Sequence, residues 1–93
     1  MELTRRALLR GARETHFASL VVHCRPEHLD SARESIAVLP GAEVPLSDDS
    51  CKLVVLLEME NESALLKRMT EIEALAGVVT ATMVFHQVES EDS

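Results

Sequence analysis

Gly77-Val-Val-Thr-Ala-Thr-Met-Val-Phe-His-Gln-Val88 is the last long apolar stretch of this 93-residue chain. β-Branched residues crowd it and a glycine opens it, so it reads as a strand. Strict alternation gives the strand two unlike faces. Val79, Ala81, Met83 and Phe85 make a core face. Val78, Thr80, Thr82, Val84 and His86 make a second face that is small, half-polar and too apolar to be merely solvated. A strand of this kind belongs to a sheet packed on one side and left open on the other.

Working outward, the same pattern recurs. Phe17–Arg25 alternates Ala18, Leu20, Val22 and Cys24 against Phe17, Ser19, Val21 and His23. Pro26 then suits a first helical turn, and Leu29, Ala32, Ile36 and Leu39 follow at helical spacing. Pro40-Gly41 stops that helix. Ala42–Leu46 is a short strand; Pro45 cannot donate to a ladder, which places it at a sheet edge. After the polar turn Ser47–Ser50, Lys52–Glu60 is nearly all apolar and reads as a central strand with both faces covered. Asn61 caps a second helix with Leu65, Met69, Ile72 and Ala76 as its stripe, and Gly77 ends it. The order is strand, helix, strand, strand, helix, strand. It predicts an α+β, ferredoxin-like split βαβ (βαββαβ) domain, a four-stranded antiparallel sheet with two helices on one face. The organisation expected is a basic tail over residues 1–15, the domain over 16–89 and an acidic tail over 90–93.

Composition narrows the function. The two phenylalanines are the only aromatics, and the formal net charge is −7, so neither base stacking nor phosphate binding is served: no nucleic-acid partner is expected. Residues 1–13 carry four Arg and one Glu, or +3, while the remainder carries five basic and fifteen acidic residues, or −10. An acidic domain repels anionic membrane and attracts basic peptides. No apolar run approaches the ~18 residues of a membrane span, so no membrane partner is expected. Cys24 and Cys51 have no CxxC spacing and read as idle thiols of a reducing cytosol.

Catalysis finds no support. The four histidines, His16, His23, His28 and His86, form no metal-ligand spacing. The first strand–helix loop, Cys24-Arg-Pro-Glu-His28, lacks the second cysteine of a copper carrier and the glycines of a phosphate cradle. No enzyme activity, metal or cofactor is expected.

With both helices on one face, alternation leaves the other face to Ser19, Val21, His23, Val54, Leu56, Glu58, Thr80, Thr82, Val84 and His86. His23 and His86 become neighbours there if the first and last strands pair. The opposite register would expose Leu20, Val22, Val55, Leu57, Met83 and Phe85, a worse surface. The open face reads as a platform for an amphipathic helix, with Glu43, Asp48, Asp49 and Glu60 near its rim to favour an arginine-bearing ligand. The alternatives are a weak homo-oligomer with this face as its subunit interface, and a small-ligand or regulatory interaction module.

Four blocks together resemble the NapD family: Ala18-Ser-Leu-Val-Val22; Leu39-Pro-Gly-Ala-Glu-Val44 with Ser47-Asp48; Lys52-Leu-Val-Val-Leu-Leu-Glu-Met-Glu60; and Gly77-Val78 through Val84-Phe85-His86-Gln87. The resemblance covers about residues 16–89. It implies a ferredoxin-like fold, a cytoplasmic location and a chaperone that is not an enzyme. It also implies the ligand: the twin-arginine signal peptide of the periplasmic nitrate reductase precursor, bound as a helix against the sheet. The precursor is thereby held back from export until its cofactors are installed.

One feature departs from that pattern. Thr4-Arg-Arg-Ala-Leu-Leu-Arg10 resembles a twin-arginine export motif, with Leu8 in place of the commoner Phe. Arg13, Glu14 and His16 interrupt the apolar segment that a true signal needs, so export is not expected. A chance arginine pair or a mis-assigned start, the remnant of an accessory protein's leader, and a mimic of the domain's own ligand are three readings of it.

Overall fold

The computed structural model describes residues 14–48 and 50–90. The arginine-rich preface, Asp49 of the polar turn and the last three residues lie outside the described residues. Within them the elements are β1 (Glu14–Cys24), a 3-10 turn (Pro26–His28), α1 (Leu29–Ala37), β2 (Ala42–Asp48), β3 (Lys52–Met59), α2 (Glu62–Glu73) and β4 (Val78–Ser90). The strands form one antiparallel sheet in the order β2-β3-β1-β4. This is the ferredoxin-like arrangement. β2, with Pro45, is an edge, as its proline requires.

The core lies between the helices and one face of the sheet. Ala18, Leu20, Val22 and Cys24 of β1 and Leu53, Val55 and Leu57 of β3 are all buried, and meet Ala32, Ile36, Leu65 and Ile72 from the helices. Leu20, Val22, Val55 and Leu57 are thus inside, so the register with Ser19, Val21, Val54 and Leu56 outward is the one adopted. β3 is central as predicted, but the helices cover only one of its faces; Leu56 and Glu58 on the other are exposed.

Both helices end alike. Leu39 N–H donates to the Ile36 carbonyl at 3.0 Å and Leu75 N–H to the Ile72 carbonyl at 3.1 Å. Two residues after each leucine comes a glycine at positive φ, Gly41 at 83° and Gly77 at 86°. Left-handed backbone is what lets each helix turn straight into the next strand. Each glycine also sits where a side chain cannot. A Cβ on Gly41 would lie 2.6 Å from the Glu58 carbonyl, and one on Gly77 would lie 2.2 Å from His28 Cβ. α1 stops at Ala37, two residues before the predicted Leu39, because Pro40 disfavours α backbone in the residue before it. At α2, Asn61 accepts a 2.7 Å hydrogen bond from Ala64 N–H, the predicted cap.

β4 is where alternation and structure part. The β1–β4 ladder is continuous except for shifts between Ser19 and Leu20 and between His23 and Cys24. Each shift inserts one residue into β4, Val84 and Val79 respectively, with no partner on β1. A β-bulge of this kind reverses the phase of alternation beyond it. Between the bulges the predicted phase holds: Ala81 and Met83 pack on the core, and Thr80 and Thr82 face away. Outside them it inverts. Val78 packs on the core, whereas Val79 is 62% exposed. Phe85, expected inside, stands opposite Ser19 on the open face and is 51% exposed.

His86 is the corresponding correction. It stands opposite Ala18, whose side chain is core, and is therefore on the helix side of the sheet and not on the open face. There its Nε2 and His16 Nδ1 are 3.0 Å apart, one imidazole N–H donating to the other ring. The rings stack with centroids 5.3 Å apart. His16 is 7% exposed and also lies 3.6 Å from a Glu14 carboxylate oxygen. His23 instead pairs with Thr80 at the far end of the sheet, so His23 and His86 are not neighbours.

Candidate functional site

The face without helices is assembled by register alone. In the β1–β3 ladder, Phe17 stands opposite Glu58, Ser19 opposite Leu56, Val21 opposite Val54 and His23 opposite Lys52. Across β1 on the same face, Phe17 meets Gln87, Ser19 meets Phe85, Val21 meets Thr82 and His23 meets Thr80. β2 adds Glu43 beside Leu56 and Leu46 beside Val54.

Eight of the ten residues assigned to this face therefore share it: Ser19, Val21, His23, Val54, Leu56, Glu58, Thr80 and Thr82. Val84 is 61% exposed but belongs to the bulge and has no partner in the ladder. His86 lies on the other side. Three residues not named for the site join the eight. Leu46 is 64% exposed at the β2 edge, and Phe17 and Phe85 sit diagonally across Ser19. The only two aromatic side chains of the chain are thus both on the open face. For Phe17 the signal was present, since it alternates with Ser19 and Val21. For Phe85 no local signal existed, because the bulge at Val84 hides its phase.

The face is acidic at one end and mixed at the other. Glu43 and Glu58 lie at the end where β1 begins, and His23 and Lys52 at the other. At the acidic corner a groove of about 900 Å³ leaves the face between Phe17, Leu56 and Glu58 and the turn Pro40–Glu43. Glu60 and, from α2, Lys67, Arg68 and Glu71 also line it. Arg68 is held by Glu71, one turn away on the same helix. Asp48, expected at the rim, is at the opposite end from Glu43, across from Lys52. Hydrogen bonds from the Ser50 hydroxyl and backbone N–H hold its carboxyl below its ordinary range.

This surface offers no chemistry of bond-making. No described set of three or more His, Cys, Asp or Glu side chains is placed to hold a metal ion. Cys24 points into the core at 5% exposure, where burial first and Cys51 second push its thiol up. No described helix is long and apolar enough to cross a membrane. What the surface can do is bind: rings and aliphatic side chains in the middle, Glu43 and Glu58 at one end, and Asp48 beside Lys52 at the other.

Comparison with known proteins follows the same line. The profile of a family described as NapD protein matches residues 15–90. Chaperone NapD of Haemophilus influenzae is 24% identical over 86 residues, spanning 91% of this chain and 92% of that one. Chaperone NapD of Escherichia coli is 31% identical over 74 residues, spanning 78% and 85%. The solution structure of the E. coli Tat proofreading chaperone protein NapD superposes with a TM-score of 0.73 at 30% identity, covering 78% of each chain.

Proposed function

The chain belongs to the NapD family, and from that membership we propose that it is a cytoplasmic chaperone whose open sheet face binds the twin-arginine signal peptide of a periplasmic nitrate reductase precursor. The family is one of chaperones, and the chain is not an enzyme. The observation that carries the reading is the placement of Phe17 and Phe85 on a helix-free face, in register with Leu56, Val54 and Val21. Aromatic side chains are rarely spent on solvent, and they anchor interfaces where they occur.

A signal peptide of this class carries paired arginines followed by an apolar segment. As a helix it can lay that segment over Phe85, Val21, Val54 and Leu46, with the arginines towards Glu43, Glu58 and the groove beyond them. Burial at ~25 cal/mol per Å² supplies the affinity, less the cost of ordering the helix. The carboxylates add orientation and on-rate. Masking the signal delays export, so the mechanism is occupancy and not catalysis.

Backbone NMR titration with a synthetic twin-arginine peptide from the reductase tests this directly. The expected result is that amide shifts change along Phe17–His23, Val54–Glu58 and Thr80–Gln87. Val54→Glu and Leu56→Glu, both at partly solvated positions, should weaken binding tenfold or more in a folded domain. Normal binding by both variants, or an obligate dimer insensitive to peptide, would replace this reading with a subunit interface.

A further inference from the structure

We propose that the chain carries a competitor for its own open face: residues 4–10, Thr-Arg-Arg-Ala-Leu-Leu-Arg, dock in cis on the acidic half of that face, and a client peptide must displace them. The identity of the client rests on the function proposed above; the docking itself does not.

Three observations converge on this occupant. The first is charge. Residues 1–13 sum to +3 against −10 for the remainder, and the arginines are concentrated in the one segment that precedes β1. The second is the kind of ligand. The segment joins paired arginines, Arg5 and Arg6, to Ala7, Leu8 and Leu9, the two chemistries that the open face presents receptors for: Glu43 and Glu58 at its rim, Phe17, Leu56 and Phe85 beside them.

The third is reach. The tail enters the sheet at Glu14, at the same end as Glu58 and Glu43. Glu14 is nine residue steps from Arg5, and a chain spans at most ~3.6 Å per step, so the arginines can lie up to about 30 Å away. Phe17 and Ser19 are three and five strand residues from Glu14, or roughly 10 and 16 Å along β1. Gly11 stands between the motif and the strand, where a reversal of direction is cheapest. Glu43 and Glu58 attract the arginines at the end where β1 begins, whereas His23 and Lys52, nine strand residues or roughly 30 Å from Glu14, lie at the limit of a fully extended leash.

Tethering makes a weak contact count. A short leash gives an effective concentration on the order of 1 mM, so a tail with an intrinsic Kd of about 0.1 mM would occupy the face and weaken a competing peptide roughly tenfold. A client peptide of micromolar affinity still wins, whereas weak, non-client basic peptides are screened out.

The test compares the full chain with its Arg5→Gln/Arg6→Gln variant, both ¹⁵N-labelled. The expected result is a set of amide shift differences at Phe17, Leu56, Glu58 and Phe85, absent at His23, Lys52 and Thr80, and independent of protein concentration. The variant should also bind the synthetic reductase signal peptide several-fold tighter than the parent chain. Spectra that differ only at residues 1–13 would overturn the proposal, as would differences that grow with protein concentration, since the contact would then be between molecules. If the peptide binds neither chain, the functional reading above fails, and the spectral comparison still decides whether the tail docks.

Discussion

Phe85→Ala separates two accounts of β4 in one measurement. With Phe85 in the core, as uninterrupted alternation has it, truncation to alanine costs about 3–5 kcal/mol, a large share of the ~5–15 kcal/mol that holds a small domain folded. With Phe85 opposite Ser19 on the open face and 51% exposed, the folded domain loses only the contacts of the buried half of the ring, about 1–2 kcal/mol. The exposed half is what a partner can cover. A phenylalanine offers ~150–250 Å² in all, so about 100 Å² remains for the peptide, equivalent to ~2.5 kcal/mol or up to ~60-fold in Kd. Incomplete coverage lowers that to an expected tenfold or more. Stability is read from urea titration by far-UV circular dichroism, because the chain has no Trp or Tyr to report by fluorescence. Binding is read by calorimetry with the reductase signal peptide. Met83→Ala, on the core side of the same strand, is the contrast: it should lose stability without weakening the folded fraction's binding. A Phe85→Ala loss of 3 kcal/mol or more would put the ring back in the core, and an unchanged Kd would remove it from the binding face.

Three further outcomes follow from the packing. Gly77→Ala should cost about 2–4 kcal/mol in the same urea assay, since alanine must adopt φ near 86° with its Cβ 2.2 Å from that of His28. His86→Ala strips the partner from His16 Nδ1, a buried polar atom, and should cost about 1–3 kcal/mol, whereas replacing both histidines with leucine should cost less than the single change. Cys24 should resist iodoacetamide in the folded chain and react on denaturation in urea, followed by mass mapping, because attack needs the thiolate and burial raises the thiol's pKa. By the same sign, the folded state keeps this proton longer than the unfolded one, so the thiol's share of stability is lost as pH rises past ~8.5.

Much of the architecture is local and was therefore legible. Pro26, Asn61 and the two glycine stops set the helix bounds to within a turn, because caps and left-handed residues act on their own neighbours. Alternation placed Ala18, Leu20 and Val22 on one face and Ser19, Val21 and His23 on the other, because β1 runs straight. Pro45 declared an edge strand through a missing donor. The acidic balance, the near-absence of aromatic residues and the empty first loop turned attention from catalysis and nucleic acid to a basic peptide.

What the chain alone did not show was the phase of β4. Alternation reports a face only while each residue has one partner, and Val79 and Val84 have none. Whether a bulge forms depends on how β1 and β4 fit together across the 53 residues of chain between them, so no window of sequence contains it. That long-range fit moved Phe85 out of the core and onto the face where a peptide would meet it. It carried His86 to the helix side to pair with His16, and left the open face with an acidic end and both phenylalanines. The sequence by itself determined which elements this protein has and their order. The sheet decided which side chains they present, because register is a property of two strands and never of one.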